Sequence, residues 1–148
     1  MIKAINLSNK IESIEALNIF KSRKGNSRYI RIINSNIKEL NKVIGRKVFK
    51  KDTVFIRSST LWEIMQPVGG RGEHHYHGLA PEDVYNALSR LQYSKQVTIS
   101  NDDRFVVITD VEISKKIFLI VVIKANSYLF KLDMKKVVVI ITIYPKDK

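Results

Sequence analysis

The sequence predicts an α+β fold in which N-terminal helices pack on a four-stranded antiparallel β-meander. Three observations carry this expectation. Residues 81–91 (PEDVYNALSRL) put Val84, Ala87, Leu88 and Leu91 on one helical face. Four strand-like runs follow with short connections, at 96–100, 104–110, 116–124 and 136–144. The first half carries two more stretches of helical spacing, at 11–20 and 36–44. At 148 residues the chain is long enough to bury one core. It is read as a single domain, 1–148, with 1–50 a basic helical extension and 51–148 the helix-plus-meander core.

Taken in order, residues 11–20 (IESIEALNIF) space Ile11, Ile14 and Leu17 as a helix does. Residues 21–28 (KSRKGNSR) form a basic turn centred on Gly25-Asn26, and 29–33 (YIRII) a short strand. Residues 36–44 align Ile37, Leu40 and Ile44, with Gly45 where a helix C-cap belongs. Residues 48–56 suit a hairpin turning at Lys51-Asp52, and 58–65 a capped helical turn. In the 81–91 helix, Pro81 is tolerated in the first turn, where Glu82 and Asp83 complement the helix dipole. Asn101-Asp102-Asp103 makes a tight turn between the first two meander strands. The runs IFLIVVI and VVVIITI are apolar on both faces, so these strands should be central, with both sheet faces covered around them.

The net charge is +12, and it is unevenly placed. Residues 1–60 hold 14 Lys and Arg against 4 Asp and Glu, whereas residues 61–110 hold 4 against 7. Such a balance favours a polyanionic partner, since each neutralised phosphate releases counterions. Arg23, Lys24, Arg28, Lys47, Lys50 and Lys51 are the candidate RNA contacts. The chain has no cysteine, which excludes disulfides and thiolate metal sites. Its apolar runs fall well short of the about 20 residues that span a bilayer. No signal-peptide pattern stands at the start, so the expected location is the cytoplasm, or a target cell into which the protein is delivered.

All three histidines, His74, His75 and His77, lie in one glycine-rich loop ahead of the 81–91 helix. Histidine titrates near neutrality and serves as acid, base or metal ligand. In an acid–base reading, one histidine takes a proton from a ribose 2′-OH. In a metal reading, Glu73, His75 and His77 bind Zn or Fe(II), although no further His or Cys exists to complete the set. A polar surface loop explains the same residues without chemistry. The glycines match no dinucleotide or P-loop spacing. On the last strand, Thr142 and Tyr144 share a face and can hold a phosphate or donate a proton, though both are also simply good strand formers. Lys124 shares a face with Phe118, Ile120 and Val122. Lys124 or Arg71 can stabilise the charge of a pentacoordinate phosphoryl transition state, though most cations in so basic a chain are solvated surface charges.

A His loop leading a helix, then a meander whose last strand carries Thr and Tyr before Pro, resembles the Barnase–EndoU–colicin–RelE nuclease superfamily, in its phage and polymorphic-toxin branch. The matching stretch runs from Val54 to Asp147 and includes VFIRSSTLWEIM, HHYHGLAPEDVYNALSRL and ITIYPKD. The resemblance implies RNA cleavage without metal or other cofactor, leaving a 2′,3′-cyclic phosphate. It implies His77, with His75 next in line, as the loop histidine, Thr142 and Tyr144 as the hydroxyl pair, and Lys124 or Arg71 as the cation. Three clustered histidines in place of one depart from the pattern. If the chain acts as a toxin, an acidic antitoxin or immunity protein is an expected partner. Two other classes fit the same residues: a non-catalytic nucleic-acid or partner-binding module, and a small His/Glu metalloenzyme.

Overall fold

Among the described residues, seven strands form one mixed sheet in the order β1-β2-β3-β7-β6-β5-β4. A computed structural model describes residues 2–69, 74–100, 103–114, 117–128 and 136–147. The strands are β1 (Ala4–Asn6), β2 (Tyr29–Ile33), β3 (Val54–Arg57), β4 (Gln96–Ile99), β5 (Arg104–Ser114), β6 (Ile117–Tyr128) and β7 (Lys136–Asp147). The helices are α1 (Lys10–Ser22), α2 (Leu40–Ile44), α3 (Ser58–Ile64) and α4 (Pro81–Ser89). The expected four-stranded meander is therefore corrected. Strands β4 to β7 do pair antiparallel in sequence order, but β7 is not an edge. Its free side takes β3 in parallel, β3 takes β2 antiparallel, and β2 takes β1 in parallel. Residues 1–50, expected as a helical extension, supply two of these strands and share the main core through Ile5, Leu17, Phe20, Ile30 and Ile32.

Local signals explain most element ends. Asn9 caps α1 by accepting from the Glu12 amide at 3.1 Å, and Leu17 and Phe20 turn its apolar side inward. Gly45 ends α2 at φ 81°, a left-handed conformation that suits glycine. Asp83 accepts from the Ala80 amide at 3.3 Å, which is the returning half of a capping box, since Ala80 has no side-chain acceptor. The expected hairpin at Lys51-Asp52 does not form. Only 54–57 is a strand there, because Phe49 leaves the strand line to enter the core at 1% exposure.

Helices α1, α3 and α4 pack on one face of the sheet, over Val54, Ile56, Val107, Val121, Ile123, Val138 and Ile140. The opposite face carries a small cluster of Val137 and Val139 with Phe55 and Ile141, and no helical side chain among the described residues joins it. Helices thus cover one face, not both. Ile120, 1% exposed, is flanked there by its cross-strand partners Ile108 and Tyr144. A bulge at Ile141 resets the β6–β7 register, pairing Ile123 with Ile140 but Val122 with Thr142. Two bonds tie α4 to the start of the chain. Tyr85 donates its hydroxyl to the Leu7 carbonyl at 2.7 Å, and Lys10 pairs with Glu82 at 3.5 Å. No helix among the described residues is long and apolar enough to cross a membrane.

Candidate active site

The His loop is closed at its neck. The Gly78 amide donates to the Gln66 carbonyl at 2.7 Å and the Leu79 amide to the Ile64 carbonyl at 3.1 Å. These bonds bring the two ends of a long connection together, as in an Ω-loop. Gly78 sits at φ 63°, where a Cβ would also meet the Val68 side chain at 3.6 Å. His77, one residue before the neck, is therefore placed by α3 and by buried Leu79.

The neck aims His77 at the end of β7. Its ring lies 6.1 Å from that of Tyr144, with the planes at 44°. Both residues are half-buried, whereas His74 and His75 are exposed. The pKa of His77 is held below the usual value of 6.5, first because burial disfavours the imidazolium and second because His75 is a like charge nearby. The imidazole is accordingly neutral at neutral pH and able to accept a proton.

Aromatic side chains continue the site toward α1. Tyr76 meets Trp62 edge-on at 5.5 Å, and Lys24 Nζ stands 5.0 Å over the Trp62 ring. Gln66 donates to the Lys21 and Trp62 carbonyls at 3.0 and 2.9 Å, fixing α3 against the end of α1. Beyond Lys24 opens a cleft of about 500 Å³ lined by Arg23, Lys24, Arg28 and Ser58. Arg28 is partly a structural group, since its Nη2 donates to the Ile2 carbonyl at 2.8 Å.

Compared with protein families, with curated proteins and with solved structures, the chain shows no match.

Of the residues singled out in the sequence, His77 and Tyr144 come together. Thr142 stands two residues before Tyr144 on the same face, opposite Val122. Lys124 shares that face but pairs with Val139 and Arg104, four residues from Ile120, the partner of Tyr144. At about 3.3 Å per residue this sets it roughly 13 Å along the strand from Tyr144. Arg71 and Glu73 lie outside the described residues. Among the described residues no three His, Asp or Glu side chains are grouped to hold a metal ion. The candidate RNA contacts divide between two places. Arg23, Lys24 and Arg28 line the cleft near Trp62, and Lys47, Lys50 and Lys51 line another at the start of β7. Sequence reasoning missed the contact of Trp62 with Tyr76, the residue before His77. The one signal was that the chain's single tryptophan shares a helical segment with the approach to the His loop.

Proposed function

We propose that the protein is an endoribonuclease that works without a metal, with His77 as general base and Tyr144 as proton donor. The observation that carries the reading is the half-buried, neutral His77 set against the Tyr144 ring. A ring nitrogen of His77 takes the proton from a ribose 2′-OH. The O2′–P bond forms and the P–O5′ bond breaks, while the Tyr144 hydroxyl protonates the departing 5′-oxygen. The products are a 2′,3′-cyclic phosphate and a 5′-hydroxyl, and a proton returned from His77 through solvent resets the pair. Lys24, which stands over Trp62 beside Tyr76, is a described cation that can steer a phosphate toward this corner. In a role as toxin, an acidic protein would be the partner that masks the basic surface.

Purified protein incubated with a long single-stranded RNA tests the reading. Cleavage is expected to persist in chelator, and His77→Ala is expected to lower it by about 100-fold or more. Tyr144→Phe should lose a comparable factor while keeping the fold. Full activity in His77→Ala, or activity abolished by chelator and restored by metal, overturns the mechanism. RNA bound but left uncut by the native protein would instead favour a binding module.

A further inference from the structure

Arg46, Lys47, Lys50 and Lys51 are four exposed cations within six residues. Like charges so placed repel, so a chain that keeps them together must fix the loop. Here it is fixed from two sides. Asn41 Oδ1 accepts from the Val48 and Phe49 amides at 3.0 and 2.8 Å, and its Nδ2 donates to the Phe49 carbonyl at 2.8 Å. Phe49 is buried with its ring 5.7 Å from that of Phe105. Two cations precede this anchor and two follow it. With Lys136 and Asp103 they line a cleft of about 460 Å³ that ends on Val137 and Val138. Among the described residues no ion pair engages Arg46, Lys47, Lys50 or Lys51. The neighbouring Asp52 uses its carboxylate to accept from the Lys38 amide at 2.9 Å.

A preformed cleft lined by five cations against one carboxylate, Asp103, concentrates a positive field on an incoming polyanion. Its two phenylalanines are buried, so they offer no ring face on which a base could stack, and phosphates are left as the groups it can hold. We propose that this cleft docks the phosphodiester backbone of a nucleic acid without regard to base sequence. It is distinct from the His77 corner. Val138 in the cleft and Tyr144 are six residues apart on β7, one of them in the Ile141 bulge, which is roughly 17 Å at the rise of a strand. The proposal shares the RNA reading above but needs no cleavage to be true.

Fluorescence anisotropy of a labelled 20-nucleotide RNA tests it, with every protein carrying His77→Ala so that the probe stays intact. Adding K47Q/K50Q/K51Q is expected to weaken binding about tenfold near 0.1 M salt and to flatten the salt slope by about 2, as for three lost phosphate contacts on a single strand. K3Q/K21Q/K95Q removes the same charge from exposed lysines outside both clefts and should cost about twofold or less. Unchanged far-UV circular dichroism and melting temperature confirm that the variants fold. Equal weakening by the two triple variants would reduce the effect to net charge and overturn the site. So would a polyglutamate peptide that displaces the RNA better than unlabelled RNA does, because the cleft would then fit an acidic polypeptide. If native protein leaves RNA uncut while these binding results hold, the nuclease reading fails and the docking site stands.

Discussion

His77 couples stability to pH through one proton. Its folded pKa lies below the ordinary 6.5, so the unfolded chain takes up the proton first as pH falls. The stability that depends on neutral His77 is complete above pH 6.5 and is lost as pH falls through the folded value. Denaturant titrations at pH 7.5 and in mild acid should show this loss, and His77→Gln should make the dependence shallower. On the proposed mechanism, the rate of RNA cleavage should rise with pH through an apparent pKa below 6.5, because the base must be neutral to act. Gly78→Ala forces an alanine to φ 63° at the loop neck and should cost about 1–2 kcal/mol in thermal unfolding. At this scale the sequence was legible in chemistry and in facing. The histidine loop marked the titrating group, and period-two alternation placed Thr142 with Tyr144 on one strand and Lys124 with Ile120 and Val122 on another. It did not show that Lys124 is remote from Tyr144. That separation depends on the β6–β7 register, which the bulge at Ile141 resets.

Among the elements, the loop between α2 and β3 shows most clearly how a side chain replaces a ladder. The alternation of 48–56 suggested two paired strands, yet the amides of Val48 and Phe49 bond to Asn41 instead. Nothing in the local pattern distinguishes those two solutions, because the deciding group belongs to the preceding helix. Asn41→Ala removes three hydrogen bonds and should destabilise the fold by about 2–3 kcal/mol in urea unfolding. An unchanged midpoint would mean that water holds the loop as well as Asn41 does. The helices were easier to read, α4 best of all, since it buries Val84, Ala87 and Leu88 as their spacing implies, whereas α1 buries Leu17 but leaves Ile11 73% exposed. Strand β1 escaped notice because three residues at a sheet edge, with only Ile5 buried, leave almost no periodic signal.

For the whole molecule, the decisive joins are the parallel ones. A meander is legible because each strand follows its partner, whereas β3 meets β7 only after α3, the His loop, α4 and three strands have intervened. A chain beginning at residue 51 would lose β1, β2 and α1, and with them Ile5, Leu17, Phe20, Ile30 and Ile32 from the core. It should give a poorly dispersed NMR spectrum and no cooperative melt. A sharp, dispersed spectrum would show that 51–148 folds alone. The β3–β7 pairing also orders events in time. During synthesis β3 emerges long before its partner Val138–Ile140 exists, so its edge toward β7 stays unfilled until the last strand arrives. Loop closure over that span makes the step slow compared with forming the helices. Tyr144 rides on the same late strand, so a nascent chain displays His77 well before it can have the phenol beside it. The pairing thereby acts as a clock, and the corner of His77 and Tyr144 does not exist until the sheet is closed.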